Sequence, residues 1–351
     1  MENQEKPHKR RVRYSGTHPK RFSEKYKEHQ PEKYADVVEK VIRKGSTPAG
    51  MHISICVKEI LDFLQIQPGQ RGLDATLGYG GHTLEMLKCL KGEGHIYGLD
   101  VDPIESEKTK ERLKKQGFGE DILTVKLLNF RNIDQVAEEA GKFDFVLADL
   151  GVSSMQIDNP ERGFSYKVDG PLDLRMNPQK GISAAQRLKE VTQEELYGML
   201  LENADEPYAE EISKAVIRQR RIRSIETTTD LKQVIEQALS FIPEKERKEA
   251  VKKSCQRSFQ ALRIDVNSEF EVLYDFLEKL PQVLAPNGRA AILTFHSGED
   301  RLVKKSFKQF YKEGIYSDIS KNVIRPSQEE CARNSRARST KMRWAIRAQE
   351  I

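Results

Sequence analysis

A run of glycines between two apolar segments is the part of this sequence best suited to hold a ligand. It reads Gly78-Tyr-Gly-Gly-His82, with Gly80 and Gly81 at its centre, and it follows the apolar run at residues 72–76. Glycine lets backbone N–H groups approach a ligand closely, and a helix that starts there adds its positive end. The turn therefore indicates a nucleotide-like ligand. Because a single glycine motif is a weak signal, a structural turn without a ligand stays open.

Acidic residues near the turn narrow the choice of ligand. Asp100 ends the next apolar run, where a carboxylate accepts the hydroxyls of a ribose, a group that NAD and S-adenosylmethionine share. Asp74 precedes the turn, and its charge would repel a pyrophosphate but attract an ammonium group. Thr83 stands where the dinucleotide fingerprint GxGxxG has its third glycine. We therefore favour S-adenosylmethionine over NAD.

Two further positions follow apolar runs and complete the candidate site. Asp149 ends the run at residues 143–149, and ligands of open α/β sheets bind beyond the carboxyl ends of the strands. Asp149 is therefore expected at the reacting end of the cofactor. Phe130 follows the run at residues 123–128, where its ring would cover an adenine or pack in the core.

Apolar runs that alternate with helical patterns would position these residues. Such an alternation predicts a parallel sheet covered by helices on both faces, which is a Rossmann-like α/β fold. The strands are predicted at residues 72–76, 94–100, 123–128, 143–149 and 289–295, with a closing edge strand at 342–347.

The alternation stops after Leu150. A loop rich in Gly, Asp and Pro covers residues 151–181, and helical patterns alone follow until the strand at 289–295. We therefore predict an all-helical domain at residues 165–255, inserted into an α/β domain made of residues 51–164 and 256–351.

The charge of the chain is concentrated at its ends. The net charge is +5, and residues 1–44 hold 13 Lys and Arg against 7 Asp and Glu. Residues 320–351 hold 8 basic residues against 3 acidic ones. Basic ends suit a nucleic-acid partner, although such tails also serve solubility. Residues 1–50 are expected to form a basic arm and linker that is partly flexible.

Composition excludes several other classes of protein. No apolar run reaches the roughly 18–20 residues of a membrane span, and the charged N-terminus does not have the pattern of a secretory signal. The four cysteines are scattered and form no CxxC pair, which argues against a disulfide framework and a zinc site. We expect a cytoplasmic protein that needs no metal and does not associate with a membrane.

Seven longer motifs give the sequence a family resemblance. From residue 52 to residue 347 it resembles the bacterial ribosomal RNA small subunit methyltransferase H family. The motifs that carry the resemblance are Asp74–His82, Asp149–Ser154, Asp158–Ser165, Asp169–Met176, Phe259–Ile264, Phe295–Arg301 and Asn334–Ser339.

This resemblance implies a fold, a cofactor and a substrate. The fold would be that of a class I S-adenosylmethionine-dependent methyltransferase with a helical insertion. The substrate would be the exocyclic N4 of a cytosine in small-subunit (16S) rRNA near the decoding centre, so the partner would be that rRNA or the small ribosomal subunit. The implied cofactor contacts are Gly80, Gly81, His82, Asp100, Phe130, Asp149 and Gln156.

Departures from the family pattern keep alternatives open. Met155 replaces a Pro, Gly298 replaces a Leu, and Cys255-Gln-Arg-Ser-Phe259 replaces a run that begins with His-Pro. They leave room for a methyltransferase of the same family that acts on a different RNA site. A non-catalytic RNA-binding assembly factor is a second alternative, and a dehydrogenase is a third.

The implied reaction assigns catalytic roles as expectations. A cytosine amine is a poor nucleophile, so a group that accepts a hydrogen bond from it would help. Asp149, Ser153 and Ser154 are the candidates to orient it. His296 would accept a proton or contact the base, or else serve structurally beside a helix that Ser297 caps, with Asp300 completing a capping box.

Other residues are candidates for contacts with RNA. The loop with Phe164 and Tyr166 would stack on an extruded base, or would only tie down the helical domain. Arginines near the C-terminus and two basic runs in the insertion would contact phosphates. These are Arg333, Arg336, Arg338 and Arg343, with Arg218–Arg223 and Lys252-Lys253.

Overall fold

A single seven-stranded sheet organises residues 54–349, the part of the chain that the computed structural model describes. Its strands lie in the order β3-β2-β1-β4-β5-β7-β6. Strands β1 to β5 run parallel, whereas β7 is antiparallel to both of its neighbours. The bounds are β1 Arg71–Asp74, β2 His95–Asp100, β3 Leu123–Leu127, β4 Phe143–Asp149, β5 Leu284–Thr294, β6 Tyr316–Ile319 and β7 Lys341–Arg347.

Helices join the strands and cover both faces of the sheet. Successive residues of β4 point to opposite faces. Leu147 accordingly packs in one apolar cluster with residues of α1 and α2, and Val146 packs in another with residues of α4, α11 and α12. The helices of the sheet domain are α1 Val57–Leu64, α2 Gly81–Leu90, α3 Pro103–Lys115, α4 Ile133–Ala140, α5 Ser154–Asp158, α11 Glu269–Val283, α12 Ser297–Lys312 and α13 Gln328–Arg333.

The chain between β4 and β5 is helical, as predicted, and builds an apolar cluster of its own. The α/β fold with a helical insertion is confirmed. The insertion consists of α6 to α10, and its last helix, α10, continues without a break through residue 255, where we placed the domain boundary. The helices are α6 Ala184–Glu190, α7 Gln193–Ala204, α8 Ala209–Ile222, α9 Thr228–Ala238 and α10 Glu244–Asn267.

Residues 342–347 form a strand, β7, as predicted, but the prediction that this strand lies at the edge of the sheet was wrong. β7 lies between β5 and β6, so β6 forms the edge of the sheet. The sequence analysis missed β6, because this strand has only four residues, its two central residues are exposed, and it contains no apolar run. Residues 285–288, near the start of β5, form a bulge, where Asn287 adopts a positive φ of 61° and the register with β4 shifts.

Two other expectations concern membrane spans and the basic arm. In this part of the chain every helix is too short or too polar to cross a membrane. The basic arm predicted at residues 1–50 lies outside the described residues.

Close packing at Gly72 makes a testable prediction about stability. A Cβ at Gly72 would lie 1.9 Å from Cε2 of Phe145, a fully buried ring on the neighbouring strand. Gly72→Ala should therefore lower the free energy of unfolding by about 1–3 kcal/mol, because overpacking forces side chains and backbone to shift. Urea denaturation measures the change.

Gly198→Ala is the matched control, because a Cβ there meets no atom within 4 Å and the residue lies inside α7. Alanine should stabilise that helix by up to about 1 kcal/mol. Equal effects of the two substitutions would contradict the packing described for β1 and β4.

Candidate active site

Three acidic residues meet at one edge of the sheet. Asp74, Asp100 and Asp149 are the last residues of β1, β2 and β4, and these strands are neighbours in the order β2-β1-β4. Ligands of open α/β sheets bind at this edge. The structure thus brings together the carboxylates that the sequence analysis singled out.

The glycine turn joins β1 to α2 beside these carboxylates. The N–H of Gly78 donates to Oδ2 of Asp100 at 2.9 Å, and Thr109 donates its hydroxyl to the Gly78 carbonyl at 2.6 Å. Gly80 has a φ of 77°, and a Cβ there would lie 2.6 Å from the Thr109 methyl group. Gly80 therefore cannot be replaced without strain, and the turn keeps its backbone open at the start of α2.

Asp74 fixes the base of the turn from a fully buried position. Thr83 donates its hydroxyl to Oδ2 of Asp74 at 2.6 Å, and the N–H of Thr76 donates to Oδ1 at 3.1 Å. Burial raises the pKa of Asp74, and the hydrogen bond from Thr83 and the charge of His82 partly oppose that rise. Thr83, whose presence disfavours a dinucleotide ligand, therefore stabilises this buried carboxyl group through a hydrogen bond.

Both carboxylate oxygens of Asp100, at the end of β2, accept hydrogen bonds from backbone N–H groups. Its Oδ2 accepts the bond from Gly78, and its Oδ1 accepts the N–H of Asp102 at 2.8 Å. Burial raises the pKa of Asp100 to about 6, although these backbone donors lower it in part. Since a carboxylate oxygen can accept two hydrogen bonds, each retains capacity for a ribose hydroxyl.

Asp102 connects this carboxylate to two residues of the following loop. Its Oδ1 caps α3, and its Oδ2 accepts from Nη1 of Arg162 at 2.7 Å and Nε2 of Gln156 at 3.2 Å. Arg162 is itself buried and also donates to the carbonyls of Arg175 and Met176. The sequence analysis missed Asp102, although an Asp-Pro pair at the start of a helix is a recognised capping signal.

His82 and Asp149 form the centre of the site. Nε2 of His82 lies 2.8 Å from the carbonyl oxygen of Ile55, and its Nδ1 lies 3.5 Å from Oδ2 of Asp149. Thr76 accepts the backbone N–H of Asp149 at 2.6 Å. Oδ1 of Asp149 is buried and has no hydrogen-bond partner among the described residues.

The environment of Asp149 raises the pKa of its carboxyl group. Burial, together with the nearby acids Asp74 and Glu299, raises this pKa to about 6. The charge of His82 acts in the opposite direction. An acceptor oxygen that is buried and unpaired is costly, so Oδ1 is a position where a ligand N–H group would be stabilised.

Ser153 serves as the N-cap of the short helix α5. Its Oγ accepts the N–H of Gln156 at 3.2 Å, and Oε1 of Gln156 accepts the N–H of Ser153 at 2.9 Å. This reciprocal pair holds Gln156, whose amide also reaches Asp102. The side chain of Ser154 lies outside the described residues. The catalytic roles of both serines stay predictions.

His296 caps α12, and the expectation that Ser297 does so was wrong. Nδ1 of His296 accepts the N–H of Glu299 at 3.5 Å, while Glu299 accepts the N–H of Phe295 at 2.9 Å. Burial would raise the pKa of Glu299, but His296 and Arg263 outweigh it and leave the pKa lowered. The structure therefore favours the structural role for His296, and its catalytic role stays a prediction.

Asp300 does not complete a capping box either. It pairs with Arg343, whose Nε lies 2.7 Å from Oδ1 of Asp300. Arg343 is buried in β7, so its predicted contact with phosphate was wrong. Arg336 is held by Asp158 at 2.9 Å and 3.0 Å, whereas Arg338 is exposed.

Phe130 packs against the core and keeps part of its ring exposed, and its contact with an adenine stays a prediction. Its ring packs edge-to-face on Phe276, with 5.2 Å between centroids, and it borders an apolar cluster of the sheet. It is only half-buried, so part of the ring remains open to a ligand at the end of β3.

The loop aromatics are anchored in the helical segment. Phe164 and Tyr166 both pack against its apolar cluster, and Tyr166 meets Phe259 with 5.9 Å between ring centroids. This packing favours a loop that ties down the helices over one that presents two free rings to a base.

The donors and acceptors at this edge fit S-adenosylmethionine. Asp100 has capacity for ribose hydroxyls, Phe130 offers a ring face, and the glycine turn offers open backbone. Oδ1 of Asp149 lacks a partner in the described residues and lies at the end of the central strand. The chemistry of this donor and acceptor set matches a nucleoside that carries an amino acid better than it matches a dinucleotide.

Comparison with known proteins gives consistent matches along the chain. The model of the MraW methylase family matches residues 49–348. A Lachnoclostridium phytofermentans protein named "Ribosomal RNA small subunit methyltransferase H 1" is 74% identical over 99% of this chain and 95% of its own length. A protein of Alkaliphilus metalliredigens named "Ribosomal RNA small subunit methyltransferase H 2" is 67% identical over 99% and 100%. A Koribacter versatilis protein named "Ribosomal RNA small subunit methyltransferase H" is 39% identical over 84% of this chain and 94% of its own length.

The Arg162–Asp102 pair makes a prediction about stability and cofactor binding. Arg162→Met leaves a buried carboxylate without its cation, which should lower the free energy of unfolding by about 3–5 kcal/mol. It should also weaken S-adenosylmethionine binding, because Asp102 orients both Asp100 and Gln156. Denaturation and calorimetric titration measure the two effects.

Arg333→Met is the control, because Arg333 is exposed and pairs with exposed Glu329. That change should stay within about 0.5 kcal/mol. Indistinguishable behaviour of the two variants would contradict the linking role of Arg162.

Proposed function

Because the chain belongs to the MraW methylase family, we propose that it methylates the exocyclic N4 of a cytosine in small-subunit rRNA near the decoding centre. The chain is an S-adenosylmethionine-dependent methyltransferase. The observation that carries the proposed chemistry is the buried Oδ1 of Asp149, at the end of the central strand, which has no hydrogen-bond partner among residues 54–349. The rRNA target rests on the names of the relatives.

Asp149 suits the needs of an amine acceptor. A cytosine amine shares its lone pair with the ring, so it attacks only when it is held in line and its N–H group is engaged. When bound, S-adenosylmethionine supplies the electrophilic methyl group. Oδ1 of Asp149 would accept a hydrogen bond from the amine, which turns the lone pair toward the methyl carbon.

The remaining residues of the site would hold the cofactor and the loop around it. Asp100 would bind the ribose, Phe130 would cover the adenine, and the backbone from Gly80 to His82 would border the methionine end. Gln156 would contact the cofactor from α5, where its capping bonds fix its orientation. Each role follows from a donor or acceptor at the carboxyl edge of the sheet.

We propose that the helical segment between β4 and β5 contacts the RNA. Arg218 and Arg221 are exposed on α8, and Lys252 and Lys253 are exposed on α10. Their charges suit phosphate contacts. Arg220 is different, because it donates to the carbonyls of Leu188 and Val191 within the segment.

A methyltransferase of the same family acting on a different RNA site is the second candidate. Gly298 favours it, since this position departs from the family pattern and a Cβ there would lie 2.6 Å from the ring of Phe270. The beginning of α12 therefore has a packing that a larger residue would change. A non-catalytic assembly factor is disfavoured, because the residues that suit the cofactor are all present.

Loss of the gene tests the target. We expect the N4-methyl signal of one cytosine in small-subunit rRNA to vanish from the mass-spectrometric modification map, and to return when the gene is restored. An unchanged cytosine signal with loss of another methyl mark would establish the second candidate instead.

Replacement of Asp149 tests the chemistry. Asp149→Asn keeps the size of the side chain but removes the carboxylate, so methyl transfer from labelled cofactor to small subunits should fall about 10²-fold or more. Asp275→Asn changes a half-exposed acid that pairs with Arg131 and should leave the rate unchanged. A near-wild-type rate in Asp149→Asn would remove Asp149 from the mechanism.

A further inference from the structure

Methylation of an amine releases a proton, and the site must take it up. As the C–N bond forms, the nitrogen becomes acidic and its proton moves to the group that accepts its hydrogen bond. In the proposed reaction that group is Oδ1 of Asp149. The positive charge must be accommodated within the site, because the His82 ring and Oδ1 of Asp149 are buried.

The position of one proton on His82 is fixed by its surroundings. The carbonyl oxygen of Ile55 can only accept, and it lies 2.8 Å from Nε2, so Nε2 carries a hydrogen. Nδ1 then faces Oδ2 of Asp149 at 3.5 Å. The lone pair of Nδ1 in the neutral ring is then directed at a carboxylate oxygen, and uptake of a proton at Nδ1 would relieve the repulsion between them.

We propose that His82 is the final acceptor of the amine proton and that the Asp149 carboxyl group passes it on. This inference rests on the proposed function, because it needs an amine at Oδ1. The N–H bond of the amine breaks and an Oδ1–H bond forms. The carboxyl group then passes this proton to Nδ1, so an N–H bond on His82 replaces the O–H bond and the carboxylate of Asp149 is restored.

The charges balance in this scheme. The pair begins as a neutral imidazole beside a carboxylate, and it ends as an imidazolium beside the restored carboxylate. The positive charge gained by His82 replaces the one that the methyl donor loses, so the buried site keeps its total charge.

The groups around the pair are suited to a ring that changes charge. Asp74 on β1 and Glu299 on α12 lie near enough to affect the pair and favour the imidazolium. The positive end of α2 opposes it and helps to keep the ring neutral before the reaction. Cys56 stays a neutral thiol, because burial raises its pKa further above neutrality.

His82→Gln tests the proposal, because glutamine can donate to Ile55 but cannot take up a proton. We expect calorimetry to show cofactor affinity within a few-fold of the wild type, while single-turnover methyl transfer falls about 10²-fold or more. In the wild type the rate should decline as the pH falls through about 6, because Asp149 then already holds a proton when the amine binds. In the variant this decline should move to higher pH, because the charge of His82 no longer lowers the pKa of Asp149.

His95→Gln is the matched control, because His95 bonds to Asp121 and Thr124 on the opposite side of β2 from the turn. It should keep the wild-type rate and pH profile. A His82→Gln variant with a wild-type rate and an unchanged acidic limb overturns the proposal. If wild-type enzyme leaves small subunits unmethylated, the proposed function fails instead.

A second measurement does not depend on RNA or on turnover. Nitrogen NMR of the histidine rings, in the enzyme with and without S-adenosylhomocysteine, reports which nitrogen carries hydrogen. We expect the neutral His82 ring to carry its hydrogen on Nε2, which faces the Ile55 carbonyl oxygen. A neutral ring with its hydrogen on Nδ1 overturns the proposal, even if His82→Gln binds no cofactor.

Discussion

The mutual repulsion of three carboxylates at one edge of the sheet is the constraint on which the site depends. β1, β2 and β4 lie side by side and each ends in aspartate, so burial and proximity make three charges costly together. Each carboxylate has a different partner: Asp74 accepts a hydrogen bond from the Thr83 hydroxyl, Asp100 accepts backbone N–H groups, and Asp149 lies beside the His82 ring. One oxygen of Asp149 is left without a partner in the described residues, and the proposed chemistry rests on this oxygen.

The loop after β4 is held against this edge by buried polar contacts. Arg162 joins Asp102 to the carbonyls of Arg175 and Met176, and Asn267 at the end of α10 donates to the Leu174 carbonyl and accepts the Met176 N–H. The helical segment and the cofactor edge are thus connected through one short stretch of backbone. Hydrogen bonds of this kind fix geometry, which catalysis by positioning requires.

Much of this arrangement could be predicted from the sequence. The five parallel strands follow buried apolar runs, and the acids that end three of them were recognisable from position alone. Side-chain contacts between residues far apart in the sequence could not be predicted. Arg162 and Asp102 are 60 residues apart, and nothing local in the loop indicates that its arginine is buried. The edge strand β6 and the capping role of His296 were missed because short polar stretches allow several local structures.

The central claim is that Asp149 receives the substrate amine. A crystal structure of the enzyme with S-adenosylhomocysteine and cytidine tests it most directly. The account predicts the exocyclic nitrogen of cytosine within about 3.2 Å of Oδ1 of Asp149, a hydrogen-bond distance. A complex in which Oδ1 instead binds the ammonium group of the cofactor product, with the cytosine amine held by another residue, would contradict it.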